Sequence, residues 1–241
     1  GAAGAADLGN VLDKMKMLFK PHPWHGVSLG DEAPDVLWTY IENSPGESVK
    51  YEVHKETGFL MVDRPHKFSS LCPCLYGFLP RTYCATRVAE RCMERTSLTG
   101  IVGDGDPIDV CVLSTRQILH GDLLVKARPI GGFRMVDNGE ADDKLICIIE
   151  GDPAMSAWQD IQDVPKAMLN MLLHYFLSYK KDPTSDTDPV SIPETYGADE
   201  AKEMVRRSMA DYQEAFGDLT DDFFRQLVQA TASRLLIGAA R

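Results

Sequence analysis

The sequence predicts a mainly β fold with α, a small β-barrel with helices packed around it. Two observations carry that expectation. The middle of the chain is a series of short β-rich runs bounded by Gly, Asp or Asn, and the last third has helical periodicity. Several short strands at such spacing favour closure into a barrel. A third observation bounds the size: 241 residues, 44% hydrophobic and 25% charged, suit one globular domain with terminal extensions.

Residues 1–35 read as a leader and arm. Gly1–Ala6 has no Met and reads as a trimmed end or flexible leader, Val11–Phe19 is a short amphipathic piece, and Pro21-His22-Pro23-Trp24-His25 is a proline-broken arm suited to lie across the surface. A barrel domain follows over 36–197. Val49–Val53 and Phe59–Asp63 are β-rich and separated by His54–Gly58, where Thr57-Gly58 supplies the turn of a hairpin. Pro80–Gly103 is polar, carries Arg and Cys, and reads as an insertion between strands near 80–103. Ile108–Leu113, Leu123–Pro129, Phe133–Val136 and Leu145–Glu150 are the next strands.

The helical part begins with Val164, Met168, Met171, Leu172, Tyr175 and Tyr179, which recur at three and four until Pro183 stops the pattern. Residues 198–241 read as C-terminal helices on the same domain. One starts near Asp199, buries Met204, Val205, Met209 and Tyr212, and ends at Gly217. Another starts at Thr220-Asp221-Asp222, acids that suit a helix N-terminus.

Charge narrows the function. With 36 acidic against 25 basic side chains the formal charge is -11, so the mean field repels nucleic acid and anionic membrane. An anionic substrate needs local lysines, arginines or metal ions. No apolar run reaches the roughly 18 residues of a membrane span. Six cysteines without a preceding secretory segment point to a reducing compartment, and Cys72-Pro73-Cys74 lacks the two-residue spacing of zinc or redox motifs. Neither a GxxxxGK phosphate loop nor a GxSxG elbow occurs, and no histidine pair has metal-ligand spacing.

The densest chemistry is Asp104-Gly105-Asp106-Pro107-Ile108-Asp109. Crowded carboxylates raise one another's pKa values unless cations neutralise them. Pro107 blocks ladder bonding, so the acids sit on a turn entering the strand; alternation then sends Ile108, Val110 and Val112 into the core and Asp109 to the other face. An EF-hand fails on spacing, because Ile108, Asp109 and Thr115 stand where Asp or Asn, Gly and Glu belong. Taken alone, the string suits a hard-cation site or a solvated acidic turn.

Asp137, Glu140, Asp142 and Asp143, followed by Lys144, form a second acidic group that reads equally as a hydrophilic hairpin turn. Separate carboxylate clusters converge readily on Mg²⁺, which takes one or two protein carboxylates and fills its shell with water and phosphate oxygens. Lys50 and Glu52 share a strand face, with Arg64 on the partner strand, as a phosphate site or a solvent-facing charge ladder. Tyr179 and Lys180 end the apolar helix stripe, as substrate groups or as a core-edge ring and a cation facing the helix dipole.

The order of these motifs resembles that of the family I soluble inorganic pyrophosphatases. The likeness runs from about Val36 to Pro183 and takes in Ile41-Glu42, Lys50-Tyr51-Glu52, Val62-Asp63-Arg64, Pro73 to Gly77, the Asp104 to Asp109 string, Arg128 to Gly131, the Asp137 to Lys144 turn and Tyr179-Lys180. It implies an OB-like five-stranded β-barrel with flanking helices that hydrolyses pyrophosphate by a metal-activated water. Several Mg²⁺ ions per site are implied, with Mn²⁺ or Zn²⁺ as substitutes. Asp104, Asp109, Asp137, Asp142 and Glu52 match the metal ligands. Asp106 matches the proton acceptor, grouped with Tyr76, Arg64 and Lys50 as catalytic. Lys50, Arg64, Tyr76, Lys144, Tyr179 and Lys180 match the groups around the phosphates, and Glu42 a supporting carboxylate.

Three departures accompany the likeness. Cys72 stands where the family usually has Tyr, Pro80–Gly103 is longer than in compact bacterial members, and the Pro23-Trp24-His25 arm is similar to that of eukaryotic ones. Together they resemble the acidocalcisomal soluble enzymes of trypanosomatid protists, which implies a place in cytoplasm or acidocalcisome, and the family as a whole implies a homo-oligomer. The rival readings are a non-catalytic metal or phosphate-binding homologue, which Cys72 favours, and a polyphosphatase with pyrophosphate as a side substrate.

Overall fold

A computed structural model describes residues 17–217 except Asp186, together with residues 219, 223, 225, 226 and 229. The Gly1–Ala6 leader, most of the Val11–Phe19 piece and the Thr220 to Asp222 helix start lie outside the described residues.

Five strands close on themselves. β1 (Leu37–Asn43) runs antiparallel to β4 (Leu75–Phe78), β4 antiparallel to β6 (Asp109–Leu113), and β6 parallel to β9 (Lys144–Ile149). β7 (Leu123–Asp137) is antiparallel to both β9 and β1 and completes the ring. The hairpin of β2 (Val49–Val53) and β3 (Leu60–Pro65) forms a separate two-stranded sheet, as its sequence predicts. The short β5 (Val102–Gly103) and β8 (Glu140–Ala141) pair in parallel at the far end of β7, and β10 (Val190–Gly197) adds along it.

β7 corrects the sequence reading, in which Leu123–Pro129 and Phe133–Val136 are two strands. It is one strand whose register slips between Pro129 and Gly131, where proline offers no N–H to the ladder. Gly131 and Gly132 break the apolar pattern because β10 packs there: a Cβ on Gly131 would lie 2.5 Å from the Tyr196 carbonyl oxygen. β1, β4 and β10 have no separate strand signal of the kind used above.

The ring has apolar residues on both faces. Ile108, Val110 and Val112 enter a core with Leu37, Ile41 and Leu145, as alternation requires. Cys111 and Leu113 face a second core under α2 (Lys166–Ser178), which buries Leu172, Tyr175 and Phe176. Met171 is 48% exposed, beside the buried stripe instead of in it. α2 also ends before Pro183, with Tyr179 as its C-cap.

α3 (Ala198–Phe216) starts with Asp199 and Glu200, ends against Gly217, and buries Met204, Val205 and Tyr212, while Met209 is exposed. It carries α1 (Thr86–Thr96), a helix inside the Pro80–Gly103 stretch that the sequence reading leaves without structure. α1 has no N-terminal cap of its own. Buried Asp211 of α3 accepts from the Ala85, Arg87 and Val88 backbone N–H groups at 3.0, 3.1 and 3.2 Å. A cap from a distant segment leaves no local signature. All six cysteines are buried thiols, and no helix among the described residues is long and apolar enough to cross a membrane.

Gly77 shows how tightly β4 lies against β1, since a Cβ there would sit 1.9 Å from the Tyr40 carbonyl oxygen. Gly77→Ala is expected to cost about 1–3 kcal/mol, typical of forced overpacking, read as a lower urea midpoint. An unchanged midpoint would show that the two strands separate without loss.

Candidate active site

The hairpin β2–β3, the loop before β6, the β7–β9 corner and the end of α2 enclose one cleft of about 300 Å³. Every site residue that the sequence singles out lines it: Glu42, Lys50, Glu52, Arg64, Tyr76, Asp104, Asp106, Asp109, Asp137, Asp142, Lys144, Tyr179 and Lys180.

Local chemistry sets each segment. Asp104 Oδ1 accepts from the Asp106 N–H at 3.0 Å, an Asx-type turn that Gly105 completes at φ +74°. Cys84 pins the loop from below through backbone bonds to Gly105 and Asp106, and Ile108 N–H donates to Thr82 Oγ1 at 3.0 Å. Asn138-Gly139, both at positive φ, turn β7 into β8. Along residues 142–144 the side chains then alternate: Asp142 and Lys144 enter the cleft and Asp143 does not. In the hairpin, Lys50 pairs with Arg64 just before a bulge. Tyr179 stacks on Tyr175 with ring centroids 5.0 Å apart.

The electrostatics are those of carboxylates held by lysines. Lys144, 1% exposed, bridges Asp109 and Asp142; Lys180 contacts Asp137, Lys50 contacts Glu52, and Lys55 contacts Asp106. Tyr76 hydroxyl donates to Asp109 Oδ2 at 2.5 Å. Burial, then Asp142, pushes the Asp104 carboxyl up to about 9. Burial likewise raises Asp109, against the pull of Lys144. For Asp142 burial acts upward too, but Lys144 and Lys180 outweigh it and hold the carboxyl low. The Lys144 ammonium is held well above its ordinary range because Asp109 and Asp142 overcome its burial. Burial and then Asp109 raise the Tyr76 phenol.

Among the described residues no three acidic, His or Cys side chains stand at metal-ligand spacing as the chain is arranged. The donor chemistry nevertheless fits a hard divalent cation. Asp104, Asp109 and Asp142 offer only oxygens, and Asp104 has no lysine of its own while burial, and then the like charge of Asp142, drives its carboxyl toward neutrality.

Four residues stand outside the roles that the resemblance assigns. Lys55, in the hairpin turn, reaches Asp106 across the cleft. Glu140 joins the wall from β8. Trp24 of the N-terminal arm lines the cleft and donates from Nε1 to Thr82 O at 2.8 Å. Asp143, grouped with the acidic turn by sequence, instead pairs with buried Arg134 at 3.0 Å. Cys72 is buried behind the cleft, on a small side cavity that shares Lys50, Tyr76 and Tyr179 with it. Its Sγ lies 3.8 Å from Cys74 Sγ.

Glu42 closes the inner wall. Burial pushes its carboxyl up to about 8, against the Val53 N–H that it accepts at 2.7 Å. Between pH 4.5 and about 8 the folded chain keeps a proton on Glu42 that the unfolded chain releases, so stability falls as pH rises through that window. In metal-free buffer the parent should therefore lose stability faster than Glu42→Gln, by up to about 1.4 kcal/mol per pH unit. Equal slopes in denaturant titrations across the window would mean that Glu42 is not held neutral.

Known proteins resemble this chain in sequence and in fold. The sequence profile of inorganic pyrophosphatase matches residues 39–213. An inorganic pyrophosphatase of Chlamydia muridarum is 47% identical over 199 residues, spanning 81% of this chain and 95% of its own. The crystal structure of inorganic pyrophosphatase from Thermus thermophilus aligns with a TM-score of 0.65 at 30% identity, covering 78% of this chain and 97% of that one. A recombinant inorganic pyrophosphatase from T brucei brucei, with a TM-score of 0.66 at 22% identity over 81% of this chain and 61% of its own, shares the fold. The OB-like five-stranded closure expected from the sequence agrees with these neighbours. With a profile running from β1 to the last turn of α3, the chain belongs to the inorganic pyrophosphatase family.

Proposed function

We propose that this cleft hydrolyses pyrophosphate to two phosphates with Mg²⁺, and that Asp106 accepts the proton of the attacking water. One observation carries the reading: three crowded carboxylates, Asp104, Asp109 and Asp142, share a single cleft with Lys50, Arg64, Lys144 and Lys180. Crowded acids attract divalent cations, and the adjoining cations suit the oxygens of a polyanionic substrate.

In this reading Asp104, Asp109 and Asp142 hold activating Mg²⁺, with Asp137 and Glu52 serving further ions. Mg²⁺ bound there lowers the pKa of water and offsets charge on the phosphates. Lys50, Arg64, Tyr76, Lys144, Tyr179 and Lys180 hold and orient the two phosphate groups, while Glu42 supports the inner wall. Asp106 differs from Asp109 in its surroundings. Its side chain is 46% exposed at the mouth, so a proton taken there passes readily to solvent. Lys55, reaching over from the hairpin turn, pairs with its carboxylate across the cleft. Arg64 stands at the mouth with 47% exposure and pairs through Nη1 with Asp63, and its guanidinium fork suits phosphate oxygens.

Mg²⁺ as the metal, a homo-oligomeric assembly, and a place in the cytoplasm or the acidocalcisome are carried by the family resemblance alone. The trypanosomatid branch rests on Cys72, the arm and the long Pro80–Gly103 stretch taken together.

Phosphate release from pyrophosphate, followed by malachite green with and without Mg²⁺, tests the reading. Mg²⁺-dependent release is expected; none under saturating metal would leave a non-catalytic binding protein, and faster release from long-chain polyphosphate would favour a polyphosphatase. Asp109→Asn and Asp142→Asn should each weaken Mg²⁺ binding in isothermal titration, and unchanged affinity in both would remove the ligand assignment. Asp106→Asn should bind metal and pyrophosphate nearly as the parent does yet lose about 10²- to 10⁴-fold in turnover, the usual value of general-base help. A defect cured by more Mg²⁺ would move the proton acceptor elsewhere.

A further inference from the structure

Behind the cleft lies a buried charge cluster that the chemistry above does not use. Asp143 sits between Asp142 and Lys144 and turns away from the cleft into the protein. Its Oδ2 accepts from Arg134 Nη1 at 3.0 Å and from the Tyr196 hydroxyl at 2.8 Å. Arg134, on β7, is fully buried, and its guanidinium lies 4.8 Å from the centre of the Tyr196 ring. Its other N–H groups reach Glu200 of α3 and, at 3.3 Å, Glu194 of β10. Both glutamates are also held from α1, Glu200 by Arg91 at 2.6 Å and Glu194 by Arg95 at 2.5 Å. One continuous network therefore joins α1, α3, β10 and β7 to the corner between β8 and β9.

A buried arginine fork costs desolvation and stabilises little on balance, whereas it fixes geometry well. The geometry at stake here is that of the residues on either side of Asp143. Phe133, next to Arg134, is the cross-strand partner of Lys144, and the Asp142 N–H donates to the Met135 carbonyl at 3.0 Å. Arg134 thus grips the segment at Asp143 while its own chain neighbours hold the residues flanking it.

Resting on the proposed reading of the cleft, we infer that Asp143 and Arg134 are positioning residues, which lock the β8–β9 corner so that Asp142 faces the divalent cation and Lys144 the phosphate. Sites of this kind require their side chains within about 0.5 Å of the productive arrangement. The arginines of α1 keep the two glutamates fixed, giving the Pro80–Gly103 stretch a part in the same support.

The test is the double variant Arg134→Met with Asp143→Asn. It removes both buried charges, leaves Glu200 and Glu194 paired with Arg91 and Arg95, and keeps an acceptor for Tyr196. Circular dichroism and a thermal melt establish that it is folded at the assay temperature. Isothermal titration with Mg²⁺ alone should then show about 10- to 100-fold weaker binding, the usual effect of losing a supporting partner behind a metal ligand. KM for pyrophosphate should rise with it. Mg²⁺ affinity and KM equal to the parent's in the folded variant would overturn the inference. If the double variant does not fold, Arg134→Lys keeps the buried charge but loses the fork: weaker Mg²⁺ binding supports the inference and parental binding overturns it. A parent that binds Mg²⁺ but releases no phosphate would sink the hydrolytic reading while leaving this titration valid.

Discussion

The structure turns on the contact of Lys144 with Asp109 and Asp142. Two half-buried carboxylates and a third, Asp104, at one point of a closed strand ring repel strongly unless positive charge stands among them. The topology supplies it. β6 and β9 run parallel in a register that sets Asp109 opposite Lys144, and the turn at Asn138-Gly139 brings Asp142 to the same mouth. A one-residue slip in that register would send Asp109 or Lys144 into an apolar core, where neither finds a partner. The ring and the charge pattern therefore select the same register.

The sequence made the cleft more legible than the fold around it. Polar residues at strand entrances and turns have few bland uses when their types and order repeat a known chemistry, and every side chain that the resemblance matches to a metal, proton or phosphate role lines one cleft. Some of them also follow from periodicity alone: Ile108, Val110 and Val112 enter the core, which leaves Asp109 to the other face. What the sequence did not show were partners set by distance in the chain. Lys55 lies in a turn where no period applies, and its contact with Asp106 exists only because the hairpin folds over the loop. Asp143 looks like one more acid of a hydrophilic turn, and only the buried Arg134, nine positions earlier, reveals that it faces inward.

The same physics explains the misread elements. Helix α1 lacks a capping residue at Ala85 and borrows Asp211 from another helix, so a local search finds no start signal. Strand β7 appears as two runs because Pro129 and the Gly131-Gly132 pair interrupt its apolar pattern, yet those interruptions are where β9 slips register and β10 approaches. Met171 and Met209 fit helical spacing but fall beside the buried stripe. Spacing of three and four admits two neighbouring positions, and only packing chooses between them.

The N-terminal arm shows how a segment with no regular structure governs the mouth of the cleft. Its His22 contacts the Lys55 carbonyl at 3.0 Å, so the arm holds the hairpin turn whose lysine meets Asp106. Its Trp24 donates to the Thr82 carbonyl, and Thr82 Oγ1 in turn accepts from Ile108, at the base of the acidic loop. The arm thus grips both walls, the hairpin and the loop. Gly58 is what lets it come so close: at φ +73° a Cβ there would lie 2.9 Å from His22 and from Pro23. Gly58 thus seats the arm's side chains against the hairpin turn that carries Lys55, and a surface arm becomes part of the wall around the proposed base.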